Sequence, residues 1–370
     1  MKIMFAIKKL DEMAGGAERV LCVIATELAE RGHNVTVLTF DAPGGRPFYD
    51  IGPGIERIDL GIGDSSRPTH TLETLKRIRS LRHEIGVHSP DIAIGFTPSM
   101  YVPMAFALAG TGIKVVGSEH NVPERYARRS LQMKLIIAAS PLMHKMTVLS
   151  ETIRKRYPSP VRKKMEPLTN PVPPIPKGRE SDRSERQEVI LNVGRMTEQK
   201  DQETLLRAFA SLSEVFPRWS LRILGDGPLR GHLEKLAGRL GVADRVQMPG
   251  VTRDIHGEYE RAGLFALSSR YESFGLVTVE AMQHGLPTVA FADCPGTNEF
   301  LVNGENALLA ANTPSRVESL AECLKTLMAD VNLRDKLGDR GQKSITGKFE
   351  ISAICTQWED FLQETAKVVA

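Results

Sequence analysis

The sequence predicts an α/β protein made of two Rossmann-like, doubly wound parallel-sheet domains. Three observations predict it. Apolar strand patterns alternate with amphipathic helix patterns along the whole chain. A proline-rich and then charged stretch, residues 171–186, interrupts that alternation near the middle, and the alternation restarts after it. The length, 370 residues, exceeds one ordinary core and suits two.

The elements follow in order. Lys2 to Ile7 is apolar and strand-like. Ala17 to Arg31 places Val20, Leu21, Ile24 and Leu28 at a helical period, and Gly32 ends it. Asn34 to Phe40 is a Val-rich strand, completing a βαβ start. Ile92 to Ile113 carries no charge, but Gly95, Pro98, Pro103, Gly110 and Gly112 interrupt it. A strand from Ile92, a loop and a short core helix suit it better than a membrane span. Beyond the linker, strands are expected at Val189–Val193, Leu221–Leu224, Arg245–Met248, Leu264–Leu267 and Thr288–Phe291. Helices are expected at Asp201–Leu212, Leu229–Leu240, Arg253–Arg261 and Leu276–Gln283. The domains are therefore 1–170 and 187–350. The end of the chain, 351–370, is a helix whose Ile351, Ile354, Trp358, Phe361 and Leu362 form an apolar stripe to bury, against either domain. Ligands of such sheets bind at the carboxyl ends of the strands, so the two domains are expected to face a central cleft.

Composition narrows the class. Hydrophobic residues make up 41% and charged residues 25%, ordinary for a globular protein. The four cysteines, Cys22, Cys294, Cys323 and Cys355, are far apart and contain no C-x-x-C pair. That fits a reducing, cytoplasmic setting rather than a zinc ribbon or disulfide framework. The first residues lack a signal-peptide pattern. Residues 1–170 hold 24 Lys and Arg against 17 Asp and Glu, whereas the remainder holds 24 against 28. The basic half suits an anionic partner or membrane surface, or simply a solvated face. Arg125, Arg128, Arg129, Lys134 and Lys145 surround Leu131, Met133, Leu135, Ile136, Ile137, Leu142 and Met143. This reads either as a basic amphipathic segment resting on the inner membrane face or as a core helix with solvated charges, interrupted by Pro141.

Four motifs carry chemistry. Ser268 to Glu280 runs from a buried strand through Ser273-Phe274-Gly275-Leu276 into a helix, with Glu272 and Glu280 eight positions apart. A strand–glycine–helix junction aims backbone N–H groups and the positive helix end at one spot, which suits a phosphate. Asn192 to Asp201 follows another strand and brackets a loop with Arg195 and Lys200, an anion clamp at a helix start. Gly15-Gly16 opens a helix after the first strand and lets backbone approach a ligand. Glu119-His120-Asn121 ends an apolar strand, where His120 suits a sugar hydroxyl or a proton shuttle.

Together these motifs, with Gly225-Asp226-Gly227-Pro228 and Pro249-Gly250-Val251, resemble glycosyltransferase family 4, the retaining, nucleotide-sugar-dependent enzymes of GT-B architecture that build bacterial polysaccharides and lipid-linked glycans. The resemblance runs over nearly the whole chain, and the Glu272–Glu280 pair is its most specific part. It implies an acceptor-side N-terminal domain and a nucleotide-sugar-binding C-terminal domain. It implies that Glu272 contacts the transferred sugar, that the Ser273, Phe274, Gly275 and Leu276 turn holds the distal phosphate, and that Glu280 binds the ribose. It further implies that Arg195 and Lys200 neutralise the diphosphate, that Gly15 and Gly16 close on the phosphates, that His120 contacts the donor sugar, and that Gly250 and Val251 border the base.

The expected activity is transfer of a hexosyl or N-acetylhexosaminyl group from a UDP-sugar to a glycan or lipid-linked acceptor. No cofactor and no metal are expected, since no D-x-D pair occurs and Arg195 and Lys200 take its place; nucleic acid is not an expected partner. Two alternatives stay open. A nucleotide-sugar 2-epimerase has the same fold and needs no acceptor. A non-catalytic sugar-nucleotide-binding module keeps the fold without turnover. An NAD dehydrogenase suits the chain less, because neither half carries G-x-G-x-x-G with its downstream acid.

Overall fold

The computed structural model describes residues 1–63, 71–127, 129–179 and 185–367. Arg128, residues 180–184 of the linker and the last three residues lie outside the described set. The chain divides into two compact units, Met1–Pro173 with Phe349–Ala370, and Pro174–Lys348.

The first unit begins β1 (Lys2–Ala6), α1 (Gly16–Glu30), β2 (Asn34–Thr39), β3 (Glu56–Asp59), α2 (Thr71–His88), β4 (Ile92–Phe96) and α3 (Pro98–Leu108). It continues β5 (Lys114–Ser118), α4 (Ser130–Ala139), β6 (Lys145–Val148), α5 (Glu151–Arg156), α6 (Ser159–Arg162) and β7 (Met165–Pro167). Among the described residues these form one seven-stranded parallel sheet, ordered β3-β2-β1-β4-β5-β6-β7. The central strands are buried on both faces, so they read as continuous apolar runs: Ile3, Met4 and Phe5, and Ile92 to Phe96, are all inaccessible. Each large apolar side chain buried this way contributes about 1.5–3 kcal/mol.

The uncharged stretch after Ile92 forms β4 and α3, with Pro103 inside the helix. The basic segment from Arg125 to Lys145 differs from a continuous amphipathic helix. Pro141 ends α4, and Met143 and Ile136 turn into the core. Lys145 leaves the surface series altogether: it opens β6 and pairs with Glu166 at 2.7 Å and Glu364 at 2.8 Å. What remains exposed is Arg125, Arg129, Lys134, Leu131 and Leu135.

The second unit contains β8 (Val189–Val193), α7 (Gln202–Leu212), β9 (Ser220–Leu224), α8 (Arg230–Arg239), β10 (Val246–Gly250), α9 (Ile255–Arg261) and β11 (Leu264–Ala266). Then come α10 (Leu276–Gln283), β12 (Thr288–Phe291), β13 (Leu308–Ala310), α11 (Arg316–Ala329) and α12 (Val331–Ile345). The described strands make a six-stranded parallel sheet, ordered β10-β9-β8-β11-β12-β13. Side-chain caps start three of its helices: Asp254 accepts from Gly257 N–H, Ser315 from Glu318 N–H and Asp330 from Leu333 N–H. Asp201, in the same place before α7, makes no such bond.

The chain then returns to the first unit as α13 (Ile351–Lys367). Its apolar stripe buries Ile354, Trp358, Phe361 and Leu362, and Trp358 lies parallel to Phe96 at 6.3 Å between ring centroids. Arg31 clasps the outer side, donating to Thr356 Oγ1 at 2.9 Å, the Ser352 carbonyl at 2.7 Å and Glu359 at 3.2 Å.

Candidate active site

In the second sheet the strand order reverses between β8 and β11, so the loops leaving these neighbours open a crevice at their carboxyl ends. The loop after β8 carries Arg195 and Lys200; the loop after β11 carries Glu272 and the Gly275 turn. The two loops are stitched together. Arg270 N–H donates to the Gln199 carbonyl at 2.8 Å, Gln199 Nε2 to the Tyr271 carbonyl at 3.0 Å, and Ser268 Oγ to the Lys200 carbonyl at 2.7 Å. Lys200 Nζ then meets Glu272 Oε1 at 2.6 Å, and Ser269 Oγ donates to the same oxygen at 2.5 Å. Glu272 is buried, so this ion pair is held in a restricted, partly dehydrated place.

Gly275 shapes the turn into α10. Its φ of +82° is left-handed, and a Cβ there would lie 2.6 Å from Thr297 Cγ2. Gly296, on the loop after β12, has φ +84°, and its Cβ would lie 2.5 Å from the Glu272 carbonyl oxygen. Glu272 N–H donates to the Pro295 carbonyl at 3.2 Å. The Cys294-Pro295-Gly296-Thr297 loop thus lies directly against the Glu272 turn, which requires glycine on both sides. Ser273 is half-buried, Phe274 tilts onto Phe300 at 5.9 Å, and Leu276 is the first residue of α10. One turn on, Glu280 is buried and accepts from Tyr259 Oη at 2.9 Å.

The loops after β9 and β10 stack on the same end. Gly194 N–H donates to the Leu224 carbonyl, Met196 N–H to the Asp226 carbonyl and Gly225 N–H to the Gly250 carbonyl. A Cβ on Gly225 would come within 2.3 Å of the Gly194 carbonyl oxygen, so the Gly225-Asp226-Gly227 sequence serves close backbone stacking. Gly250 ends β10 with φ +91°, followed by exposed Val251. Arg195 shares the Lys200 loop but is exposed to solvent.

The first unit holds the remaining residues. Gly15 and Gly16 form the cap and first residue of α1. His120 follows β5, stacked on Phe96 at 4.8 Å and 2.9 Å from Ser118 Oγ. Burial holds its pKa down at about 3, so the imidazole is neutral. Its neighbour Glu119 is fully buried and accepts from Tyr101 Oη at 2.6 Å, Tyr126 Oη at 3.0 Å, and Asn121 N and Nδ2 at 2.9 and 3.0 Å. Burial raises the Glu119 pKa while these donors pull it back, and the cluster fixes the turn that carries His120.

The structure thus brings Lys200, Glu272, the Gly275 turn and Glu280 onto one strand-end surface. Sequence reading missed Ser269, Tyr259, Asp201, Gly296, Thr297 and Arg316 there. Ser269 and Asp201 lie inside the two loop motifs but were given no role there, and Gly296 carried the local signal of a Pro-Gly after a strand; Tyr259, Thr297 and Arg316 become neighbours of the site through the fold.

Comparison with known proteins agrees. The family described as glycosyl transferases group 1 matches residues 176–344, and glycosyltransferase family 4 matches residues 14–174. An exopolysaccharide phosphotransferase of Streptomyces coelicolor is 29% identical over 98% of the chain, which spans 41% of that protein's length. A Campylobacter jejuni α-1,4-N-acetyl-D-galactosaminyltransferase, named for an undecaprenol diphosphate-linked GalNAc-containing substrate, is 25% identical over 98% of this chain and 99% of its own. The Anabaena protein HepE, solved in complex with UDP and glucose, has a TM-score of 0.78 at 19% identity, covering 98% of this chain and all of its own. With two parallel-sheet units of the GT-B kind and family matches running through both, the chain is a glycosyltransferase and belongs to family 4.

Proposed function

We propose that this enzyme transfers a hexosyl or N-acetylhexosaminyl group from a UDP-sugar, with retention of anomeric configuration and without a metal, to a glycan or lipid-linked acceptor. The observation that carries this reading is the Lys200–Glu272 pair beside the Gly275 turn. Cleaving a glycosyl–phosphate bond builds negative charge on the departing diphosphate and positive charge on the sugar. Lys200, exposed Arg195 and the amides opening α10 address the first. Glu272 addresses the second and holds sugar hydroxyls, acting by position and charge rather than as a covalent nucleophile. Glu280 takes the ribose hydroxyls, the Ser273–Leu276 amides the distal phosphate, and the Gly250–Val251 turn the base. For the first unit, neutral His120 is proposed as a hydrogen-bonding group for the donor sugar, and Gly15–Gly16 as an amide-lined turn for an anion. UDP is favoured because HepE, of the same fold, was solved with it; a lipid-linked acceptor is favoured by the Campylobacter relative's name.

We further propose a cytoplasmic protein that rests on the inner membrane face. No described helix is long and apolar enough to cross a membrane. Support for surface contact comes from α4, where Leu131 and Leu135 are 68% and 42% exposed beside exposed Arg129 and Lys134.

A thermal-shift screen against UDP-, GDP- and ADP-hexoses, followed by product analysis with the best donor, tests the reading. UDP-hexoses are expected to raise the melting temperature most, with α-linked product from an α-linked donor and full turnover in EDTA. An epimer formed from UDP-N-acetylglucosamine alone, or turnover lost in EDTA and restored by Mn²⁺, overturns it.

A further inference from the structure

Asp201 occupies the N-cap position of α7, yet its side chain forgoes capping, and its backbone is left-handed at φ 49°, ψ 41°. An Asp adopts that conformation at a cost, and a polar residue normally uses the cap. Its buried carboxylate turns instead toward two arginines: Oδ2 lies 3.1 Å from Arg270 Nη2 and 3.4 Å from Arg316 Nε. Arg316 is the first residue of α11, and its side chain is largely buried. The guanidinium sits 3.6 Å from the centre of the Phe291 ring. Nη2 donates to the Ser268 carbonyl at 3.3 Å, and Nη1 donates to Asn312 Oδ1 at 2.9 Å and lies 3.5 Å from Asp293. One planar group therefore touches the segments leaving β8, β11, β12 and β13.

Two of those contacts adjoin the reactive pair. Asp201 follows Lys200 in the chain, and Ser268 precedes Ser269, which donates to Glu272. We propose that Arg316 is a positioning residue for sugar transfer: through Asp201 and the Ser268 carbonyl it sets the loop bearing Lys200 against the loop bearing Glu272. This rests on the reading of Lys200 and Glu272 given above. The physical need is clear. A lysine ammonium on a flexible stem is placed by its backbone, and a displacement of about 1 Å at a reacting group costs about 10²-fold. The flat guanidinium with its divergent donors spans these acceptors, which a lysine ammonium does not reproduce.

The test is a double-mutant cycle of R316M and K200M in the full-length protein, reading kcat and KM with the donor selected by the thermal screen. R316M is expected to lower kcat by about 10–100-fold, with KM moved far less, and R316K not to restore it. In the K200M background R316M is expected to lower kcat no further. D201N keeps the shape and tolerates the left-handed backbone; it covers the case that R316M fails to fold, and its loss of kcat is likewise expected to vanish with K200M. If K200M is impaired while R316M and D201N turn over normally, or if the losses multiply independently, the positioning role is overturned and the site reading stands. If K200M itself keeps full kcat, the site reading fails first.

Discussion

Tyr259 Oη donates to Glu280 Oε2 at 2.9 Å across the second unit, and both side chains are buried. The phenol orients a carboxylate that a nucleotide ribose is proposed to meet. Tyr259→Phe is therefore expected to weaken UDP binding by about 3–10-fold, in line with losing one ordinary hydrogen bond that acts on the nucleotide only through Glu280. Calorimetric titration with UDP checks this; an unchanged Kd removes Tyr259 from the binding argument.

Lys200 and Glu272 are each other's partners before any donor arrives. Lys200→Met is expected to lower kcat by about 10²–10³-fold, the scale of losing one charge-stabilising donor. Glu272→Ala leaves Lys200 and the Ser269 hydroxyl without their shared acceptor. It is expected to lower turnover comparably while the donor still binds. Steady-state kinetics beside direct donor binding separates the two effects.

The glycine pair is a matter of stability as well as of site shape. Gly296→Ala pushes a Cβ to 2.5 Å from backbone oxygen at φ +84° and is expected to cost about 1–3 kcal/mol or more, because backbone does not yield as a side chain does. Gly275→Ala meets a Thr297 methyl, so it is expected to cost less when Thr297 is also made Ser. Urea midpoints of the single and double variants decide between these.

His120 predicts a pH signature of defined sign. Its pKa is lowered from 6.5 to about 3, so the unfolded chain binds the proton first. Stability from this group is complete above about 6.5 and falls as pH drops toward 3, at up to about 1.4 kcal/mol per pH unit. His120→Asn, which does not titrate, is expected to flatten the stability–pH curve of the wild type across that window. Parallel curves would show that His120 titrates equally in both states.

Membrane contact is checked by sedimentation with vesicles. Anionic vesicles are expected to carry the protein down and neutral ones to leave it in solution. Leu131→Gln with Leu135→Gln, or Arg129→Gln with Lys134→Gln, is expected to weaken the association. Equal behaviour with both vesicle types removes the surface proposal.

The alternation of strands and helices was legible because the central strands are doubly buried, and burial writes itself as apolar runs such as Ile92–Phe96. The edge strands β3, β7 and β13 were not, whereas β10 was expected at Arg245–Met248. β3 is Glu-Arg-Ile-Asp and owes its form to pairing with β2, register Thr36 with Glu56 onward, rather than to its own hydrophobicity. The helix α2 also escaped notice, since its charged residues blur the apolar period. At the site, Glu272 and Glu280 were visible because the strand–turn–helix junction is local. Tyr259 was not, because it meets Glu280 only after α9 and α10 have packed. Asp201 was legible only as the start of the helix Asp201–Leu212; its partners, Arg270 and Arg316, are distant in sequence.

The return of α13 to the first unit also orders events in the making of the protein. Phe96 is synthesised before the second unit, and Trp358, which stacks on it, only after that unit. Because the segment that completes the first unit follows the whole second unit in the chain, the first unit waits during translation with Phe96 uncovered on that side until α13 has emerged. Deleting α13 would therefore harm the unit that was made first, and such products are candidates for chaperone capture.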